Sequence, residues 1–151
     1  MRILVTGHKG YIGKVLAPFL IAAGHRVVGL DSDLFGQCTF GLNVDLIPEL
    51  RKDIRDVQLS DLEGFDAIVH LAGLANDPLG DLNPTITYEI NHAASVRLAQ
   101  LAKKGGTEII VRQERKVSFD EYFGGGVRSN GVKLSPFSHN GVPRCAVIAA
   151  R

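Results

Sequence analysis

The chain has 151 residues, of which 45% are apolar and 22% charged, so we expect one globular domain with a buried core and exclude wholesale disorder. The formal net charge of +1 gives no electrostatic reason to expect nucleic acid or an anionic membrane as a partner. No run of about 18 apolar residues is present, so no transmembrane helix is predicted.

Charge and cysteine content refine this outline. Residues 1–111 carry 10 Lys/Arg and 13 Asp/Glu, whereas residues 112–151 carry 7 and 3. Cys38 and Cys145 lack the spacing of a zinc site or a disulfide framework, so both are expected to be inert thiols and no metal is predicted. Apolar residues 15–23 have the length of a signal-peptide core, but they follow a strand-like run and a glycine-rich turn. We therefore expect a helix there and a cytoplasmic protein.

Short apolar runs at 3–6, 26–30, 66–72 and 107–111 predict strands that are buried on both faces. The less regular segment between 31 and 65 is predicted to hold a loop, a short strand around 52–54 and a short helix at 59–62. Helical spacing fills the other intervals. Alternating strands and helices predict an α/β fold with right-handed crossovers and a parallel sheet.

Two helices are predicted from their end signals. The first follows Gly10 and stops before Gly24, a typical C-terminal glycine. Pro18 lies inside this pattern, which predicts a kink or a late helix start. The second begins near Asn83, a good N-cap, with Pro84 in the first turn, and it continues to about residue 104.

The segment TGHKGYIG, residues 6–13, lies between the first predicted strand and the first predicted helix. The first glycine permits a tight turn, the second lets backbone approach a diphosphate, and the third allows close packing of helix and strand. The helix N-terminus then faces the anion. The predicted phosphate turn comprises Gly7, Gly10, Tyr11, Ile12 and Gly13.

A carboxylate suited to an adenosine ribose ends the second strand. Asp31 follows Gly13 by 18 residues, and no Arg or Lys stands at 32–36, which favours NAD over NADP because the carboxylate repels a 2′-phosphate. His8 and Lys9 are predicted to be solvated turn residues, with phosphate contact as the alternative. The alternative for the whole segment is a tight connection that binds nothing.

These residues resemble extended short-chain dehydrogenases/reductases, the NAD-dependent epimerase/dehydratase family. Four further segments are similar to the family in order. They are Asp31-Ser32 for the ribose, Asp53-Ile54 for adenine, His70-Leu71-Ala72-Gly73 beside the cofactor, and Tyr88-Glu89-Ile90-Asn91 at the start of the central helix. The resemblance therefore implies cofactor contacts at Ser32, Asp53, Ile54, Leu71, Ala72, Gly73 and Asn91.

The resemblance covers residues 1–111. It implies a Rossmann-type doubly wound parallel sheet, incomplete here, and the NAD-binding half of an oxidoreductase that acts on nucleotide-linked sugars. The family's base is a Tyr with a Lys four residues later. Here those later residues are Val15 after Tyr11, His92 after Tyr88 and Gly126 after Tyr122, so no catalytic residue is assigned.

Charge and motif content both change after Val111, so we expect domain 1–111 to be followed by an irregular tail, 112–151. The tail is predicted to form hairpins, to cover the cleft or to stay mobile, and 142–149 is its strongly apolar stretch. One interpretation is a changed reading frame, which translation of the other two frames past codon 111 would test. A nucleic-acid-binding tail is disfavoured because seven cations are spread without a motif.

Three functions follow from these observations. The first is an oxidoreductase part that binds NAD and has little or no turnover alone, taking a nucleotide sugar only when another chain completes it. The second is an NAD-sensing binding module. The third is a structural fragment with an exposed sheet edge. The sequence specifies neither the sugar nucleotide nor the oligomeric state.

Overall fold

The computed structural model describes residues 1–36, 47–74 and 81–107, and it adds the backbone of three strands at 109–114, 133–134 and 144–149. The strands form one sheet in the order β3-β2-β1-β4-β5-β7-β6. They are β1 (Arg2–Thr6), β2 (Arg26–Asp31), β3 (Glu49–Arg51), β4 (Ala67–His70), β5 (Ile109–Glu114), β6 (Lys133–Leu134) and β7 (Arg144–Ala149).

The first five strands are parallel, which confirms the predicted Rossmann-like α/β sheet. β7 pairs antiparallel with β5, and β6 pairs antiparallel with β7. The antiparallel pair thus extends one side of the sheet with residues from the predicted tail. β5 itself continues to Glu114, three residues past the predicted domain boundary at 111.

Two helical segments cover opposite faces of the sheet. Helix α1 (Tyr11–Ala22) connects β1 to β2. Helices α2 (Pro84–Tyr88) and α3 (Ala94–Lys104) are joined by a π-helical turn, Glu89–Ala93, and lead from β4 towards β5. None of the helices within the described ranges is long and apolar enough to cross a membrane.

Alternating side chains of β1 divide the core into two clusters. Leu4 is fully buried with Ile68 and Leu98, on the face that α3 covers. Ile3 and Val5 are buried with Ala17, on the face that α1 covers. This period of two, with apolar residues on both faces, explains why the strands appear as continuous apolar runs in the sequence.

The segment between 47 and 62 differs from the predicted one. β3 ends just before the strand predicted at 52–54, and a 3-10 turn (Ile54–Asp56) begins at the last residue of that predicted strand. The turn forms because the Asp53 carboxylate accepts a hydrogen bond from Arg55 N at 2.9 Å, which ends the extended chain. A second 3-10 turn, Leu59–Asp61, stands where a short helix was predicted.

The predicted helix ends are largely confirmed. Gly24, with φ of 85°, follows the C-terminus of α1 and donates its N–H to Ile21 O. The Asn83 side chain accepts from Ile86 N at 3.1 Å and caps α2. The late start predicted for α1 is wrong, because this helix begins at Tyr11 and runs through Pro18.

Replacement of Pro18 by Ala is expected to raise the free energy of unfolding by about 1–3 kcal/mol. Pro18 is exposed, so little packing is lost, and alanine restores the N–H that a helix interior requires. Urea unfolding measures the change. Pro84→Ala is the matched control, since Pro84 occupies the first turn of α2, where no N–H is missed, and no gain is expected. Equal effects of the two substitutions would contradict this account.

Candidate cofactor-binding site

A cavity of about 310 Å³ opens at the carboxyl ends of β1, β2 and β4, where parallel sheets of this type place ligands. Its wall includes most of the residues predicted to contact a cofactor. They are Gly7, Gly10, Tyr11, Asp31, Ser32, Asp53, Ile54, Leu71, Ala72 and Gly73. Ile12, Gly13 and Asn91 do not line it. The fold therefore brings these predicted residues from four separate sequence segments around one space.

The glycine-rich loop is shaped by contacts that exclude side chains. Gly7 has φ of 71° and donates its N–H to Leu30 O at 2.8 Å. A Cβ at Gly7 would lie 2.7 Å from Ala72 N, and a Cβ at Gly13 would lie 2.5 Å from Gly7 O. Gly13 therefore packs the first turn of α1 against the loop and does not face the cavity. Both positions require glycine for backbone reasons.

The start of α1 is suited to an anion. Gly10 is its N-cap residue, no side chain caps this end, and the first turn contains no acidic residue. The first N–H groups of a helix have no partner within the helix and carry its positive dipole end. Since Gly10 and Tyr11 line the cavity, a diphosphate placed there would meet these donors.

Asp31 is held in a fixed orientation by the loops around it. Its Oδ2 accepts from Lys9 N at 3.0 Å and its Oδ1 from Asp33 N at 2.9 Å. Each carboxylate oxygen can accept a further hydrogen bond. The arrangement fits a pair of ribose hydroxyls, so the residues present fit an adenine dinucleotide. NAD, when bound, would supply a hydride acceptor.

The prediction that His8 is a solvated turn residue is wrong. Its side chain is 5% exposed, and its Nε2 lies 3.1 Å from Glu49 Oε2. The ring occupies the space beside Gly29, where a Cβ would come within 2.5 Å of ring atoms. A glycine inside a strand signals such a close approach, and Gly29 was the available signal for this contact.

Lys9 is likewise paired and not merely solvated. Its Nζ lies 3.0 Å from Glu49 Oε2 and 3.1 Å from Asp33 Oδ2. Partial burial lowers the pKa of Lys9, but the hydrogen bonds and charges of Glu49 and Asp33 outweigh it, so the pKa is raised above its usual range. Lys9 also lines the cavity, which is compatible with phosphate contact, the alternative prediction for this residue.

Asp53 and Ile54 both line the cavity, but their side chains have different surroundings. Arg55 donates from its guanidinium to both Asp53 oxygens, at 3.0 and 2.9 Å. This hydrogen bonding lowers the pKa of Asp53 against the opposing effect of partial burial. Ile54 is buried and belongs to the core under α3. The cavity wall also includes Lys52, Leu34 and Phe35, which sequence reasoning missed.

Asn91 supports the loop after β4. Its Oδ1 accepts from Leu74 N at 2.8 Å, and its Nδ2 donates to Leu74 O at 2.9 Å. A Cβ at Gly73 would lie 3.0 Å from Asn91 Oδ1. The structure thus places Asn91, predicted as a cofactor contact, behind the residues that line the cavity. The π-helical turn that carries it was not predicted.

A buried chain of hydrogen bonds joins β1, β4 and the second helical segment. The Thr6 hydroxyl accepts from Ala72 N and donates to His70 Nδ1 at 2.7 Å. Ser95 Oγ donates to Asn91 O at 2.8 Å, so it accepts from His70 Nε2, 2.9 Å away. The Ser95 contact places a proton on Nε2, and in the neutral imidazole Nδ1 then accepts from Thr6. This series of hydrogen bonds fixes the ends of β1 and β4 beneath the residues that line the cavity.

The structure describes two of the three tyrosines, Tyr11 and Tyr88. Tyr11 is 92% exposed at the start of α1. Tyr88 is half exposed and packs on His92, with ring centroids 4.8 Å apart. Tyr122, like Cys38, lies outside the described residues.

Together, the parallel sheet, glycine-rich loop and strand-end carboxylate define a Rossmann-type dinucleotide-binding protein. Residues 3–117 match the model of the NAD dependent epimerase/dehydratase family. The chain belongs to this family, which confirms the resemblance seen in the sequence and, at the level of the family, NAD as the cofactor.

The chain spans well under two thirds of the relatives that it matches. It is 34% identical to UDP-glucose 4-epimerase of Mycolicibacterium smegmatis over 74% of this chain and 37% of that protein. It is 30% identical to the uncharacterized UDP-glucose epimerase YtcB of Bacillus subtilis, over 95% of this chain and 48% of that protein. The solved Thermus thermophilus UDP-glucose 4-epimerase complex with NAD is 28% identical, with a TM-score of 0.58 over 72% of this chain and 35% of that chain.

Thr6→Val is expected to lower the free energy of unfolding by about 1–3 kcal/mol, because it removes the hydroxyl that serves His70 and Ala72. Thr107→Val is the control. Thr107 is equally buried, and its hydroxyl has no partner within the part of the chain that the structure describes. Chemical denaturation should show little loss, or a gain, for the control. A Thr6 variant as stable as wild type would refute the hydrogen-bond chain.

Proposed function

We propose that this chain is an NAD-binding unit of a nucleotide-sugar epimerase or dehydratase, and that it binds NAD but turns over no nucleotide sugar alone. The Asp31 carboxylate carries the proposal, because loop amides fix it at one end of the cavity while the uncapped start of α1 lies at another. Two solved relatives in complex with NAD, one of which also holds UDP-glucose, support the same assignment.

Different residues would bind different parts of the cofactor. The backbone at Gly10 and Tyr11 would hold the diphosphate, and Asp31 would accept hydrogen bonds from the adenosine ribose. Leu34, Phe35 and Ile54 give the cavity an apolar wall suited to the flat face of adenine. The loop after β4, fixed by Asn91, would run along the remainder of the dinucleotide.

The absence of turnover rests on acid–base chemistry. Oxidation of a sugar hydroxyl requires a base that takes its proton, and the family's base is a Tyr activated by a Lys at i+4. This sequence contains no such pair. We therefore propose that a nucleotide sugar is processed only when a base and a sugar site are supplied from outside these 151 residues.

We also propose that residues 1–111 form the NAD-binding domain and residues 112–151 a distinct tail. The support is that β5 is the last parallel strand, its parallel pairing ending at Arg112, and that the strands formed by residues after it pair antiparallel. A cytoplasmic location belongs to the same proposal. Its support is that apolar residues 15–22 are part of α1, where Ala17 packs on the sheet.

Calorimetric titration of the 151-residue chain with NAD is expected to give a micromolar-range dissociation constant, and an assay with UDP-glucose no turnover. Gly10→Val should abolish binding, because a branched side chain would stand where the phosphates approach. Gly105→Val is the matched control, at the C-terminus of α3 and far from the cavity, and should bind normally. A folded wild-type chain that does not bind NAD refutes the function, and turnover refutes the claim of inactivity.

Asp31→Ala is expected to weaken NAD binding roughly tenfold, since hydrogen bonds to an ionised carboxylate are lost. The preference for NAD over NADP should fall as well, because the repulsion of a 2′-phosphate falls. Asp66→Ala removes a carboxylate from the opposite end of the strands and serves as the control. Unchanged NAD affinity in the Asp31 variant would place the ribose elsewhere.

A further inference from the structure

Two cations approach the loop that follows Asp31, although neither belongs to residues 32–36. Lys9 comes from the glycine-rich loop, and Arg51 ends β3, directly opposite Asp31 in the strand register. Both approach Asp33, with Arg51 Nη2 3.9 Å from its Oδ2. We call Lys9, Asp31, Asp33, Glu49 and Arg51 the ribose-end cluster.

Lys9 is held between two carboxylates of this cluster. Glu49 contacts its Nζ through both oxygens, at 3.2 and 3.0 Å, and Asp33 contacts it at 3.1 Å. The side chains of Lys9 and Asp33 are 29% and 19% exposed, so screening by water is incomplete. Lys9 is therefore neutralised where it stands, although it lines the cavity.

The two carboxylates are built into the fold. Glu49 is the first residue of β3, opposite Gly29 in the sheet, and its Oε2 also contacts the buried His8 ring at 3.1 Å. Asp33 has φ of 59°, a conformation that aspartate and asparagine adopt more readily than most residues. Their pairing with Lys9 thus joins the glycine-rich loop, the loop after β2 and the start of β3.

The charge balance of the cluster has a consequence for the cofactor. Three carboxylates against two cations leave a formal charge of −1 beside the ribose that Asp31 is placed to hold. Loss of the charges at Asp33 and Glu49 alone would turn this into +1 and release Lys9, the cation of the cluster that lines the cavity. A 2′-phosphate would then meet an unpaired lysine in place of a net negative site.

We propose that Asp33 and Glu49 are specificity-determining residues that exclude NADP by neutralising Lys9, and that Asp31 is not the sole determinant. This inference rests on the proposed NAD site. It differs from a purely structural role for the cluster, in which the ion pairs only join the loops and their removal would weaken both cofactors alike.

The test is a double variant, Asp33→Asn with Glu49→Gln, that removes charge and keeps size. Asparagine suits the backbone at 33, and glutamine can still accept a hydrogen bond from His8. Fluorescence titrations with NADH and NADPH measure both dissociation constants, and thermal unfolding verifies the fold. We expect NADPH to bind roughly tenfold tighter than to wild type, with NADH affinity changed less than about threefold. The gain should shrink as salt is raised.

Two controls identify the source of the gain. Lys9→Met added to the double variant should remove it, because the released cation is lost. Asp56→Asn with Glu63→Gln changes the net charge of the chain equally at exposed positions that do not line the cavity, and should leave NADPH binding at the wild-type level.

The outcomes separate this inference from the proposed function. Wild-type binding of NADH with no NADPH gain in the double variant overturns the inference and leaves the function standing. An equal loss of affinity for NADH and NADPH in a folded double variant also overturns it, because a purely structural role of the ion pairs predicts that result. The inference is also overturned if the gain in NADPH affinity persists after Lys9→Met, or if the control variant Asp56→Asn with Glu63→Gln shows the same gain. A wild-type chain that binds neither cofactor overturns both proposals.

Discussion

The site depends on the close approach of backbone to backbone at Gly7. The loop after β1 crosses the end of β4 with no room for a side chain, and the first turn of α1 lies against the same loop at Gly13. This contact fixes where α1 begins relative to the strand ends. The helix N-terminus and the Asp31 carboxylate, which come from different elements, therefore face one cavity.

Buried hydrogen bonds fix the ends of β1 and β4 and the loop that follows β4, on the side of the cavity away from Asp31. His70 at the end of β4 joins Thr6 of β1 to Ser95 of α3, and Asn91 holds the loop that follows β4. Each bond has a defined direction, so the strand ends and the helical segment have one register. Such a network costs stability when it is partly satisfied, which makes it a strong specification of a single arrangement. The loop amide of Ala72 is positioned by the same hydroxyl that orients His70.

The fold was predictable where local pattern and tertiary structure agree. Leu4 lies between Ile3 and Val5 and all three are buried, so a sheet covered on both faces appears directly in the sequence as an apolar run. β3 was misplaced because Glu49, Leu50 and Arg51 include one apolar residue, and this strand is specified by pairing with β2. The π-helical turn has no distinct residue pattern. The helix ends, in contrast, were correctly assigned because they act locally: the Asn83 side chain caps the N-terminus of α2, and Gly24 has the positive φ that follows the C-terminus of α1.

Charge pairing is the part of the site that sequence reasoning could not reach. Lys9 and Glu49 are 40 residues apart and meet only because β3 lies beside β2, whose end receives the glycine-rich loop. No Arg or Lys stands at 32–36, directly after Asp31 in the chain, while the folded site has two cations within its carboxylate cluster. Under the proposal made for the ribose-end cluster, cofactor preference at this site depends on charges from three elements together. The acidic residue at the end of β2 predicts the preference for NAD on its own only when the neighbouring cations are already paired with other carboxylates.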